Sequence, residues 1–189
     1  YKEYGGGMVC DWGAHMIDIV HWGLGVDDSG PIATIPAENP KAKKGAQLVY
    51  DGNVPLMHGT GMGSSFYGTD GRVECHRGRI GLWLGDKFIA GKTNNSERNV
   101  NLSKELDKLE SDFLKDAKVK LYKSNSHIRT RNKPCTHEII GARTSIACHL
   151  LNQTYYNHSG IKWNPKKNAF AAGGDSSWLT RNYREDFKV

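Results

Sequence analysis

Gly5-Gly6-Gly7-Met8-Val9-Cys10-Asp11-Trp12-Gly13-Ala14-His15-Met16-Ile17-Asp18-Ile19-Val20-His21-Trp22-Gly23-Leu24-Gly25 reads as a glycine loop, a helix of about four turns and a glycine stop. At about 100° per residue, Asp11, His15, Asp18 and Trp22 fall on one narrow stripe. Val9, Met16, Val20 and Leu24 fall roughly opposite, with Gly13 among them. One face is therefore apolar, and the other carries two carboxylates, an imidazole and an indole. Gly13 leaves room for a neighbouring element to come close. An acid and a histidine four residues apart can touch across one turn. A carboxylate so placed holds an imidazole in one tautomer and raises its basicity.

Asp and His also sit on water-facing helix sides with no further role. Two features set this face apart. Trp12 and Trp22 are large apolar groups beside it. The triple glycine ahead of it suggests backbone that must approach a ligand, with Gly6 and Gly7 as the positions for a cofactor, and helix N-termini favour anions.

The 189 residues suit one domain with a real core, and we read 1–189 as a single domain. Hydrophobic content of 38% against 24% charged residues fits a globular chain. No apolar run approaches the ~20 residues of a membrane span, so no membrane partner is expected. The chain opens at Tyr1 and enters almost at once into the glycine loop, as the inside of a larger protein would. Nothing in it chooses between cytoplasm and periplasm. The net charge of +6 comes from small lysine clusters (Lys41, Lys43 and Lys44; Lys115, Lys118, Lys120 and Lys123) and from scattered bases. There is no basic stripe with stacking aromatics and no nucleic-acid module, so no nucleic-acid partner is expected. Cys10, Cys75, Cys135 and Cys148 include no Cys-x-x-Cys. The pairs Cys135/His137 and Cys148/His149 do not have the spacing of a usual zinc site. We expect buried free cysteines and no metal.

After Val26–Pro31, a turn, Ile32 to Ala37 and Gln47 to Tyr50 read as strands. Asp51-Gly52 is a hairpin signal, and Val54 to His58 is the returning strand. Gly59-Thr60-Gly61-Met62-Gly63 tempts a dinucleotide reading. It lacks the third glycine and a following helix, so it is read as a loop or bulge. Ser65 to Tyr67, Arg72 to His76 and Ile80 to Leu84 continue the strands. Gly85 to Val100 reads as a polar surface loop. Residues 102–118 read as an amphipathic helix. Glu138 to about Tyr156 reads as another, with Ile139, Ala142, Ile146, Leu150 and Thr154 toward the core. The tail, 160–189, holds single aromatics and reads as an extended segment over the domain. The sum is an α+β fold: an open, mostly antiparallel sheet with helices on one face.

With these pieces placed, the chain resembles the C-terminal domain of the glucose–fructose oxidoreductase/inositol dehydrogenase/MocA family. The strongest part is Gly5 to Pro31, similar to the family's glycine loop, Asp-x-x-x-His helix and Gly-Pro turn. Gly68-Thr69-Asp70-Gly71 resembles a turn of the family's sheet. Gly141 to Leu151, Lys162-Trp163-Asn164-Pro165 and Leu179 to Arg184 resemble the ending of a branch common in bacteria. The family's N-terminal Rossmann domain, with its G-x-G-x-x-G loop and Glu-Lys-Pro lysine, has no counterpart here. Asn132-Lys133-Pro134 lies too late in the chain to take that lysine's role.

The resemblance implies a two-domain NAD(P)-dependent dehydrogenase acting on a secondary alcohol of a sugar, inositol or glycoside. This chain would be its substrate-binding and dimerisation domain, and would be inactive alone. NAD or NADP would be held mainly by the absent domain. His15 would be the catalytic base and Asp11 its partner. Tyr4 and Trp12 would line the pocket, and His127 matches a histidine near it. The sheet face would join a second copy. Asp18 and His21 are read as structural. Two other readings stand beside this one. A family cofactor used transiently would give glycoside hydrolysis or epimerisation. A non-enzymatic oligomerisation module would need no cofactor.

Overall fold

The structure, a computed structural model, describes residues 5–92, 108, 111, 112, 115, 131, 133, 134 and 136–180. The fold is α+β, and every strand pairing among the described residues is antiparallel. The strands form two sheets rather than one. The chain divides into two compact units. One holds the described residues up to Gly61 and from Ile139 onward, and the other those from Met62 to Glu138.

The first unit begins with two helices, α1 (Gly7–Cys10) and α2 (Trp12–Leu24). Strands β1 (Ala33–Ile35), β2 (Gln47–Tyr50) and β3 (Val54–Met57) follow. The Asp51-Gly52 signal does close the hairpin between β2 and β3. Gly52 and Asn53 take φ of 71° and 60°, and the Asp51 carboxylate accepts from the Gly52 amide at 3.0 Å. The described tail does more than lie over the fold. It supplies two strands that extend this sheet beyond β1, bordering Lys162–Asn164 and Ala169–Ala172.

Alternation then settles which face is core. Thr34 pairs with Leu48, and Leu48 with Leu56, so their side chains share a face. Tyr50 lies on that face too. Beyond β1, Ile161 and Trp163 continue the row, and Trp163 meets Phe170 edge-to-face at 5.2 Å. Ile17 and residues Ala147, Cys148, Leu150 and Leu151 of the long helix Glu138–Asn157 close over this row. Helices thus cover one face of the sheet. On the other face Ile35, Gln47 and Met57 stand in register, and Ile35 and Met57 are exposed.

The second unit is a four-stranded meander of β4 (Gly63–Tyr67), β5 (Gly71–His76), β6 (Arg79–Leu84) and β7 (Lys87–Lys92). We label the long helix α3 and the two tail strands β8 and β9. Phe66, Val73, Leu82 and Ala90 line up across one face. On the other, the Arg72 guanidinium lies 4.3 Å from the centre of the Trp83 ring and donates to Glu74 at 3.0 Å. A Cβ on Gly81 would strike the Trp83 ring, so glycine there leaves that ring its place.

Four readings need correction. The first helix is not continuous: Asp11, at φ −86° and ψ −87°, breaks it into α1 and α2. The residues of this segment that pack on the core include Val9, Cys10, Ala14, Ile17 and Leu24, with His21 buried beside them. Val9 and Leu24 of the expected apolar face thus turn inward, while Met16 and Val20 are half-buried outside that cluster. Lys87–Lys92 is a strand, not loop, because Gly85 (φ 55°) and Asp86 turn the chain back, and Lys87, Phe88 and Ala90 pair with β6 while Ile89 sits at a register shift. On α3, Ile146, Leu150 and Thr154 turn inward as expected, but Ile139 and Ala142 are exposed, and the inward side adds Thr144, Ala147, Cys148 and Leu151. That side is partly polar, which hides it from an apolar count. Of the helix expected over 102–118, the described residues Lys108, Ser111, Asp112 and Lys115 are helical. The rest of it, with the end of the tail, lies outside the described residues.

Candidate functional site

The glycine loop is shaped by its backbone. Gly6 and Gly7 both take left-handed φ, 74° and 65°, which only glycine adopts at little cost. A Cβ on Gly6 would collide with the Cys10 sulfur, whereas one on Gly7 would meet open space. Gly6 is therefore demanded by packing, and Gly7 by its dihedral alone. The α1 turn closes with the Asp11 amide donating to the Gly7 carbonyl at 3.0 Å. Helix α2 ends as the glycine stop foretold. Gly25 is left-handed, and the Val26 and Gly25 amides donate to the carbonyls of His21 and Trp22.

On the outward side of α2, Asp11, His15 and Trp22 are exposed. The Trp12 and His15 ring centroids are 6.1 Å apart, at a tilt of 59°. Asp11 precedes the first residue of α2, and its carboxylate makes no capping bond. Asp11 and His15 form no hydrogen bond or ion pair with each other. A continuous helix would have stacked them one turn apart, but the break at Asp11 removes that register. The structure thus brings Trp12 to His15 and leaves Asp11 beside them. Tyr4 and His127 lie outside the described residues.

The two residues of α2 read as structural, Asp18 and His21, are tied inward. Asp18 accepts from the Thr144 hydroxyl at 3.1 Å. His21 is 1% exposed, with Nε2 2.9 Å from the Tyr50 hydroxyl. Burial holds the His21 imidazole below its ordinary 6.5, against the pull of Asp27 and Asp18.

A second cluster lies on the inward side of α1, and the sequence reading missed it. Cys10 is half-buried. Its sulfur is 3.8 Å from His149 Nδ1 and accepts from Asn152 Nδ2 at 3.3 Å. The same Asn152 amide donates to the Gly6 carbonyl at 2.7 Å. The fully buried Cys148 precedes His149 on the same helix. His149 and Asn152 lie three residues apart on α3, so a single helix face presents both to one sulfur. The Cys10 thiol is pushed down to about 5, first by the Cys148 hydrogen bond and then, against burial, by the hydrogen bond and charge of His149. His149 is raised, chiefly by its hydrogen bond to Cys10. Cys148 is raised by the same contact and by burial, and stays a thiol. The only signal for this set in the sequence was the Cys148-His149 dipeptide. Its partner lies 138 positions earlier.

Among the described residues no group of three His, Cys, Asp or Glu side chains is disposed to hold a metal ion. No described helix is long and apolar enough to cross a membrane. No protein-family model, curated protein or solved structure matches the chain.

Proposed function

We propose that this chain is the substrate-binding and catalytic-base part of an NAD(P)-dependent oxidoreductase acting on a secondary alcohol of a sugar, inositol or glycoside. The observation that carries the reading is His15. It is exposed on a helix that follows a left-handed glycine turn, with the Trp12 ring beside it. An exposed imidazole can take the hydroxyl proton as hydride leaves the carbinol carbon. An indole gives a sugar ring a flat surface to lie on. Asp11, exposed and uncapped, is free to turn toward His15 once substrate displaces water. A nicotinamide, when bound, would supply the hydride acceptor, held mostly by a domain outside these residues with Gly6 and Gly7 approaching it from this chain. Gly7 leaves its surroundings open for an approaching ligand.

The glycine run at 59–63 does not replace that domain. It leads into β4 instead of a helix, so no helix N-terminus waits there for a pyrophosphate. The outward row Ile35, Gln47, Met57 supports a second copy docking on the sheet face.

The test is a hydride-transfer assay. The protein that carries this chain with its nucleotide-binding domain is given NAD+ or NADP+ and a panel of inositols, hexoses and glycosides. Accumulation of reduced nicotinamide with a polyol supports the reading. Glycoside cleavage or epimerisation without net reduction would instead mark transient use of the cofactor. Failure of every substrate to react would leave the chain as an oligomerisation module.

A further inference from the structure

Helix α2 carries its outward row past the candidate base. Trp22 follows His15 by seven residues. At about 100° per residue the two lie within about 20° of each other around the helix and ~10.5 Å apart along it. The break at Asp11 precedes this row, so the register from Trp12 to Leu24 is unbroken. Ile19, half-buried, stands between His15 and Trp22 on the same side. Asp18, the other candidate for that gap, accepts from Thr144 on α3 and stays out of the row. Trp22 is 66% exposed. Helical Cα–Cβ bonds tilt toward the N-terminus, so Trp22 leads back along α2 toward His15. The site thus has an indole against its imidazole, Trp12, and a second indole two turns on.

Charge narrows what can lie along this row. Between Gly5 and Pro31 there is no Lys or Arg, against four aspartates, Asp11, Asp18, Asp27 and Asp28. Trp22 sits in the last turn of α2, where the helix dipole is negative. A phosphate or carboxylate laid on this face would find no cation on the helix and would meet the exposed Asp11. We propose that the ligand of this site is an uncharged glycoside whose aglycone is itself a ring, with the sugar ring at Trp12 and His15 and the aglycone ring over Ile19 and Trp22. The role given to His15 here rests on the oxidoreductase reading. A single sugar ring does not span two turns of helix, so a free hexose or inositol would leave Trp22 unused. The negative field of the segment excludes sugar phosphates and uronic acids.

The test compares the methyl and phenyl glycosides of glucose, galactose, mannose and xylose, titrated into the 189-residue chain by ligand-observed NMR. The phenyl member of at least one pair should bind roughly three- to tenfold more tightly than the methyl member, the worth of one aromatic contact. Its phenyl protons should take up saturation from the protein. Trp22→Ala should bring the ratio close to one, and Trp22→Phe should restore most of it. The side chain is exposed, so melting temperature should stay put in both variants. In the protein that carries the nucleotide-binding domain, the same ratio should appear in kcat/KM. Hydride transfer with equal kcat/KM for methyl and phenyl glycosides overturns this inference and leaves the oxidoreductase reading standing. Phenyl-selective binding that Trp22→Ala abolishes, with no hydride transfer to NAD+ or NADP+, keeps the ligand and removes the oxidoreductase reading. The inference is also overturned if no glycoside binds, if glucose 6-phosphate binds as tightly as phenyl glucoside, or if the ratio survives Trp22→Ala. In that last case a lower melting temperature of the two-domain variant would mark Trp22 as a domain contact instead.

Discussion

Thr34 on β1 and Thr154 on α3 are joined hydroxyl to hydroxyl at 2.5 Å, and the direction of the proton chain follows from their other bonds. Thr154 donates to the Leu150 carbonyl at 2.8 Å. Thr34 accepts from the Ile161 amide at 3.1 Å. Each hydroxyl has one proton, so Thr34 must be the donor between them. The relay runs from Ile161, just before β8, through β1 into the helix, all of it buried. Thr34→Val keeps the shape and breaks the relay, leaving the buried Ile161 amide without this acceptor. We expect a loss of about 1–3 kcal/mol, read as a lower midpoint in urea at unchanged slope. A midpoint equal to wild type would show that water or a backbone shift replaces the bond.

The His21–Tyr50 pair gives the fold a sensitivity to acid. His21 Nδ1 is buried without a partner, and Nε2 shares one hydrogen bond with the Tyr50 hydroxyl at 2.9 Å. Folded His21 is held below its ordinary 6.5 by burial, and His58 likewise. As pH falls through 6.5 the unfolded chain takes up protons that the folded chain refuses. The contribution is therefore whole above about pH 6.5 and is lost progressively below it. His149, whose value is raised, acts with the opposite sign. Melting temperature should fall between pH 7 and pH 5, with a shallower slope in His21→Gln. A slope unchanged by that substitution would remove His21 as a source.

How much of this was legible in the sequence depended on whether the deciding signal was local. Asp51-Gly52 and Gly25 carry their own dihedral requirements, so the hairpin and the helix stop could be read directly. Thr154 was placed inward, but Thr144 and Asn152 could not be: their acceptors, the Asp18 carboxylate and the Gly6 carbonyl, lie more than a hundred positions away. The same holds for His21, a core residue because Tyr50 meets it. The break at Asp11 was also invisible, since no proline or glycine occupies the position that turns. His15 and Trp12 needed only helical spacing to be brought together, whereas Cys10 needed α3.

The outward row of the first sheet predicts association. Ile35 and Met57 flank Gln47 on the face that the helices leave open, at 46% and 65% exposure. A second copy placing its own row there would bury apolar area by a closed two-fold contact. Sedimentation at tens of micromolar should show a dimer, a range that captures ~micromolar affinities. Met57→Glu should give monomer without lowering the melting temperature. A wild-type chain that sediments as monomer throughout would end this expectation.

The last prediction concerns His15. Its side chain is exposed and outside the core, so His15→Ala should change stability by no more than about 0.5 kcal/mol. If it is the base of an alcohol oxidation, the same change in the protein carrying its nucleotide domain should lower turnover by ~10²–10⁴. A structural role makes the reverse forecast: lost stability, with turnover per folded molecule intact. Asp11→Asn separates the partners further. The two side chains share no hydrogen bond, so the carboxylate would act on His15 only by turning toward it. Its loss should then lower kcat more than it raises KM, and by less than the loss of the base itself. Trp12→Ala, by contrast, removes a surface that binds ground state and transition state alike, and should raise KM with kcat little changed. Measuring kcat, KM and melting temperature for the three variants assigns each residue its part. Near-wild-type turnover in His15→Ala would remove it from the mechanism whatever the other two do.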